Sequence, residues 1–391
     1  MSRETPNDTR RALRERLRDF AQRELAPGVR GHERSESLDL TAFRKLGELG
    51  LLCLTVPAEY GGAGLDATAA VIAYEELAAV DPGFALSCLA HAILFADSLA
   101  RHGDERQRRR FLPDACSGRL VGGMALTEPA GGTDVLNMST TARLDGDRYL
   151  LCGRKKWITN ASLGEARCGD VFLVYARTSR ATARGVSLFL VSKDAPGFAS
   201  GEQVRGRLGV RSSPSAELIF TDCEVSVTDR VGPEGAALVH MLPALELERL
   251  TMAAMGLGIA RSCLDIMNGY ASSRVAFDQP LRAFGQIQRH LAESYAQYRA
   301  GRAYVYETAA RCDGNRAARL PDADAAKLFC ATMAKDVADR AIQVLGAHGY
   351  SGESSVERLW RDARLLEIGG GTLEAHQRNI TRCLARVRNL G

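Results

Sequence analysis

The hydrophobic period of this chain changes twice, and that double change limits its possible folds more than any other feature. Residues 9–26 place Leu13, Leu17, Phe20 and Leu25 on one helical stripe among charged residues, and Pro27 ends the run. Helical stretches continue at about 40–50, 67–79, 84–102 and 105–117, interrupted by the glycine-rich loop PAEYGGAGLD at 57–66. The pattern then shortens. YLLCGR (149–154), DVFLVYAR (170–177), GVSLFLVS (185–192) and AELIFTDCEV (216–225) are β-branched or aromatic runs separated by Gly, Asp, Ser and Pro. Such runs at short spacing predict an antiparallel sandwich or barrel. The helical period returns at 236–271, 284–313 and 322–348, then in shorter helices near 353–363 and after Thr372. Long helices joined by short loops predict a bundle. The chain reads as α+β in three parts: an N-terminal helical domain (1–120), a β-domain (121–232) and a C-terminal four-helix bundle (233–391).

Composition excludes several function classes. A net charge of +4 is too small to imply a nucleic-acid-binding protein. Ten cysteines are scattered without a C-x-x-C pair or nearby histidines, so no metal site is expected and the thiols read as reduced. The start, MSRETPNDTRR, is polar, and no run approaches the ~18 apolar residues of a spanning helix. These features predict a soluble, cytoplasmic protein without a membrane partner.

Residues 124–160 carry the densest chemical signal. In MALTEPAGGTD, Gly131, Gly132 and Thr133 follow Pro129, so backbone N–H groups and a hydroxyl can approach a flat ligand closely. In KKWITN, Trp157 stands two residues before the hydroxyl of Thr159. Hydroxyls and small residues on one segment with an aromatic plate on the next suit a planar ring with polar edges. Plain structure also uses glycine-rich turns and tryptophans, so the residues alone leave both readings open.

TEPAGGTD resembles the TEP-x-AG-S-D signature of the acyl-CoA dehydrogenase family, and KKWITN resembles that family's second flavin signature. VPAEYGGAGLD, RLGVRSSPSAELIFTDCEV, ERLTMAAMGLG, SRVAFDQPL, QVLGAHGY and RDARLLEIGGGT follow in family order, so the resemblance spans nearly the whole chain. It is strongest toward the isovaleryl-CoA dehydrogenase branch. The resemblance implies FAD as cofactor, with Met124, Leu126, Thr127, Gly132 and Thr133 lining the isoalloxazine and pyrophosphate. Trp157 and Thr159 would cover the other side of the ring. Arg274 and Phe277 would hold the pyrophosphate and adenine side, and Thr372 and Glu374 would complete the flavin pocket. Gln343 and Gly346 would reach a neighbouring subunit's FAD, which implies a homotetramer. Thr133, Arg249 and Gly370 would touch the substrate. Two departures are notable: Gly285 follows Phe284 where Gln is usual, with Gln286 as a substitute, and Asp278 replaces a turn glycine. His348 and His376 read as structural, since neither has an evident carboxylate or metal partner.

Family chemistry removes an α-proton and a β-hydride from an acyl thioester, which requires a carboxylate base and donors for the thioester oxygen. Many relatives place the base in the last loop, where this chain has Gly370 in EIGGGT. The other location is early in a bundle helix, where LELERL supplies Glu248; Glu246 lies about 200° around the helix and does not share its face. Gly370 would then contribute only its backbone N–H. The expected function is dehydrogenation of a short or branched acyl thioester, with an electron-transferring flavoprotein or oxygen as acceptor. Three alternatives remain. One is oxidation of a carrier-protein-tethered substrate, such as a prolyl group to a pyrrolyl one; the LEAHQRN ending and the cationic RQRRR stretch (106–110), suited to an acyl carrier protein, point that way. Another is a catalytically silent binding subunit. The third is a flavin monooxygenase or nitroalkane oxidase, which Glu248 disfavours.

Overall fold

A computed structural model describes residues 6–179, 185–314 and 321–386, and its elements follow the two changes of period. The first helices are α1 (Pro6–Phe20), α2 (Val29–Ser35), α3 (Leu40–Glu48), α4 (Ala67–Ala78), α5 (Pro82–Leu89), α6 (Ser98–His102) and α7 (Glu105–Cys116), with π-helical turns over Ala21–Leu25 and Ala90–Asp97. Aspartates set four of the starts. Asp39, Asp66, Asp81 and Asp104 each accept a hydrogen bond from an otherwise unpaired first-turn N–H. Helix α4 is buried along almost its whole length, including Glu75 and Glu76. Those carboxylates meet Arg14 and Arg18 of the first helix and Arg261 and Arg302 of the bundle, tying the two helical parts together. One hydrophobic core runs through both.

Eight strands follow: β1 (Gly122–Ala125), β2 (Thr141–Asp145), β3 (Arg148–Thr159), β4 (Val171–Arg177), β5 (Val186–Ser192), β6 (Phe198–Gln203), β7 (Ser215–Ser226) and β8 (Arg230–Val231). Their order is β6-β7-β3-β2-β4-β5-β8, and β1 pairs with β4 in parallel, Met124 opposite Leu173. A second parallel pairing joins Thr141 to Arg177. The sheet is therefore mixed and open, where the sequence predicted an antiparallel sandwich or barrel. Strand composition encodes burial but not the direction of the neighbour, and β1 with its two glycines lacks strand propensity. Those glycines are required by packing: a Cβ at Gly122 would stand 2.3 Å from the Phe95 ring. Strand β4 is apolar on both faces because both are covered; Leu173 and Tyr175 meet the helical core while Phe172 and Val174 meet a second core behind the sheet.

The bundle comprises α8 (Ala237–Ser273), α9 (Gly285–Gly314), α10 (Asp322–Leu345), α11 (Ala347–Tyr350), α12 (Val356–Leu366) and α13 (Leu373–Leu384). Between α8 and α9 a hairpin pairs β9 (Val275–Ala276) with β10 (Gln279–Pro280). Its two central residues, Phe277 and Asp278, have φ of 49° and 63°, the left-handed pair that a type I′ turn demands. Aspartate tolerates that region, so the turn forms without the family glycine. Gly285 opens α9 with free space around its α-carbon, and the position makes no demand for glycine. Two helical stretches, Pro82–His102 and Ala237–Ser273, are long and apolar enough to cross a membrane by length and composition, contrary to the expectation from apolar runs. They serve as core helices here, with 89% and 72% of their most apolar windows buried.

Candidate active site

Helix α8 carries Glu248 and, one turn later, Met252, beneath the loop that joins α12 to α13. Gly370 and Gly371 in that loop have φ of +63° and +100°, a backbone path that side chains disfavour. A Cβ at Gly370 would lie 3.4 Å from Glu248 Oε1 and 2.3 Å from Met252 Sδ. The two positions that the sequence named as alternative homes for a base thus face the same space. Glu248 is 7% exposed, and its Oε2 is buried without a hydrogen-bond partner among the described residues. Burial pushes its carboxyl up to about 7, against the opposing pull of Arg249 and Lys327. A carboxyl poised near neutrality with no donor attached is equipped to take a proton.

The loop itself is held from below. Lys327, fully buried on α10, donates to Gly369 O at 2.7 Å and Gly371 O at 2.5 Å. His376 on α13 lies 3.0 Å from Gly371 O through Nε2 and 2.7 Å from Asp324 Oδ1 through Nδ1. His376 therefore does have a carboxylate partner, brought from α10, 52 residues away in the chain. The same holds for His348, whose Nδ1 lies 2.8 Å from Glu353 Oε2. Arg249 donates to Asp324 Oδ2 at 3.0 Å, so it braces this cluster while its Nε stays buried and unpaired. Thr372 caps α13 by accepting from Ala375 N, and Glu374 is exposed in the first turn.

The second signature splits by side. Lys155 is fully buried and pairs with Glu128 at 2.9 Å; Glu128 also accepts from the backbone N–H of Ser139 and Thr140. The Lys155 ammonium and two hydroxyl-bearing residues hold Glu128 down at about 2, and burial lowers Lys155 to about 8. Asn160 is buried too, donating to Ser87 O and Gly122 O. These three are scaffold. Trp157, between them, has φ of 58° and is 51% exposed, so it is not core filler. It stands beside Thr127, whose carbonyl accepts from Lys156 N at 3.0 Å. Gly132 and Thr133 are exposed, while Met124, Thr127 and Thr159 are half-buried and Leu126 is buried. A bare indole next to hydroxyls and an open glycine turn fits a planar ring. Tyr175 of β4 links this segment to Glu248: its strand pairs with Met124–Ala125, and burial, with a smaller push from Glu248, raises its phenol. The sequence reading missed Tyr175, Lys327 and Asp324. One signal existed for Lys327, since it is one of six lysines and interrupts an apolar helical stripe.

Arg274, Phe277, Gln343 and Gly346 are all exposed, Phe277 by 89%. Tyr270 stacks on His348 at 5.6 Å and joins the end of α8 to α11. About 26 residues separate Glu248 from Arg274 along α8, roughly 39 Å of helix. A cavity of about 1030 Å³ between α1, α4, α8 and α9 contains none of the predicted site residues. The RQRRR stretch is occupied: Arg106 and Arg110 pair with Asp229, Arg109 with Glu105, and Arg108 lies over Tyr60.

Comparison with known proteins identifies the family. The N-terminal, middle and C-terminal domain models of acyl-CoA dehydrogenase match residues 7–119, 123–223 and 238–385. The chain is 36% identical over 379 residues to mitochondrial isovaleryl-CoA dehydrogenase of Oryza sativa, covering 96% of this chain and 91% of that one. Butyryl-CoA dehydrogenase from Megasphaera elsdenii superposes with a TM-score of 0.92 at 31% identity, over 99% of this chain and 100% of that one. A glutaryl-CoA dehydrogenase from Mycobacterium smegmatis, in complex with FADH2, gives a TM-score of 0.90 at 29% identity over 98% and 96%. With all three domain models in order and relatives alike over almost their full length, this chain belongs to the acyl-CoA dehydrogenase family.

Proposed function

We propose that this protein is an FAD-dependent dehydrogenase of short or branched acyl-CoA thioesters, with Glu248 as the α-proton base. The observation that carries the reading is the buried Glu248 carboxyl, its Oε2 without a partner among the described residues, facing Gly370. Glu248 takes the α-proton, the β-carbon gives up a hydride, and the electrons of the α C–H bond form the new α,β double bond. Bound FAD supplies the two-electron acceptor. Negative charge developing on the thioester oxygen calls for a positioned donor, and the Gly370 N–H lies beside the base. Trp157, Thr127, Gly132 and Thr133 would hold the isoalloxazine, and Tyr175 would stand between that ring and Glu248.

Arg274, Phe277, Gln343 and Gly346 share one exposed end, too far along α8 to serve the same FAD as Glu248. We assign all four to the AMP half of a neighbouring copy's FAD, in a dimer or a dimer of dimers. Coenzyme A is preferred over a carrier protein because the cationic stretch at 106–110 is already paired within the chain. Short acyl groups follow the isovaleryl-CoA and butyryl-CoA dehydrogenases to which the chain is similar. All ten cysteines are free, in keeping with a reducing compartment. The test is stopped-flow flavin bleaching by isovaleryl-CoA and butyryl-CoA. A wild-type rate in Glu248→Gln, or equal bleaching by palmitoyl-CoA, overturns the respective part.

A further inference from the structure

Lys327 is a fully buried ammonium with no role in the mechanism above. Its Nζ bridges two carbonyls of the glycine loop, Gly369 O at 2.7 Å and Gly371 O at 2.5 Å. Peptide planarity turns this into a statement about donors. Cis peptides are absent among the described residues, so in each unit the N–H points opposite to the C=O. With the Gly369 carbonyl held down onto Lys327, the Gly370 N–H is turned away from Lys327. It makes no hydrogen bond to any described residue. Gly370 and Gly371 occupy the left-handed region, where glycine has wide freedom, so the sequence alone does not hold this path. His376 offers Gly371 O a second tether, but for Gly369 O the structure supplies Lys327.

We propose that Lys327 is a positioning residue: by tethering Gly369 O and Gly371 O it aims the Gly370 N–H at the thioester oxygen that becomes anionic as Glu248 removes the α-proton. This rests on the function proposed above. The charges facing Lys327 are Glu248 and Arg249 from α8, Asp324 from its own helix and Glu367 from the end of α12. Those facing Glu248 are Arg249 and Lys327, with the Tyr175 phenol across from β4. Removing the Lys327 charge takes away support for ionised Glu248, so the pH needed to ionise the base moves up.

The experiment uses FAD-loaded Lys327→Met and Lys327→Gln, with butyryl-CoA as probe. Bleaching at saturating thioester is measured across pH, alongside hydrogen exchange of the peptide covering 367–373. Lys327→Met is expected to keep FAD and an apparent Kd within about threefold. Its bleaching constant should fall by ~10²-fold, the scale of one lost oxyanion donor. Loop exchange should accelerate, and the acid limb of the rate should move to higher pH. Lys327→Gln retains an N–H donor without charge, so it should recover about tenfold in rate while the acid limb stays displaced. A Lys327→Met protein with wild-type rate, exchange and acid limb overturns the proposal; should that variant not fold, the same wild-type result in Lys327→Gln does so. Glu248→Gln run in parallel separates the two ideas. If it bleaches normally, the base assignment falls, while loop exchange still reports on Lys327.

Discussion

Glu248 Oε1 lies 3.4 Å from where a Cβ on Gly370 would be, although the two residues come from α8 and from the loop before α13. Two segments far apart in the chain thus border one space, and α8 supplies the carboxylate that lies in it.

Glu248→Gln keeps shape and packing but cannot accept a proton. Flavin bleaching by a short acyl-CoA is expected to fall by ~10²–10⁴-fold, with FAD content unchanged. Stopped-flow absorbance at the flavin band is the measurement.

As the proposed base, Glu248 must be ionised to act, and burial raises it to about 7. The bleaching rate should therefore rise with pH and level off above neutrality. Stability runs the other way. A carboxyl whose folded-state value is above its unfolded one favours folding below about 4.5 and loses that contribution as pH rises toward about 7. Wild-type protein should lose on the order of 3 kcal/mol over that window through this one group. Glu248→Gln escapes the loss, so denaturant melts should find it more stable than wild type at pH 8 but not at pH 4.

Moving the base to the loop meets two obstacles: a Cβ at Gly370 would collide with Met252 Sδ at 2.3 Å, and φ there is +63°. Glu248→Gly with Gly370→Glu alone should stay close to the inactive level. Adding Met252→Ala opens the space and should raise bleaching at least tenfold over Glu248→Gly, within the range a positioned base supplies. Equal rates in the double and triple variants would show that Met252 is not the barrier.

Arg274→Ser removes an exposed arginine side chain that takes no part in the core, so the fold should survive. FAD affinity should weaken at least tenfold, as expected for a lost charge-assisted contact to a diphosphate, while FMN affinity, lacking the AMP half, should not change. Equilibrium dialysis with the two flavins distinguishes them. Light scattering of the FAD-loaded wild type should give a dimer or tetramer, and an active FAD-loaded monomer would remove the partner-site reading.

Much was legible in the linear chain. The two changes of period placed the helices and the apolar strands, because side-chain spacing reports burial on one face or two. Asp39, Asp66, Asp81 and Asp104 cap four helix starts in the structure, and because capping is local chemistry those starts were open to being read from the chain, although the hydrophobic period alone was used. Resemblance named Glu248 and Gly370 from motif positions alone. The strands β1, β2 and β6 stayed hidden, since short, glycine-bearing or half-exposed strands carry little pattern of their own.

Only tertiary structure decided what acts on what. That β1 runs parallel to β4, that Lys155 and Asn160 serve the scaffold while Trp157 stands open, and that His376 meets Asp324 depend on segments far apart in the chain. The same holds for Glu248, since its approach to neutrality arises from desolvation by surrounding elements, which no spacing along α8 expresses. The residue types and their order along the chain set which chemistry was available; the packing of α8, α10 and the glycine loop set the distances and the dielectric that turn it into a site.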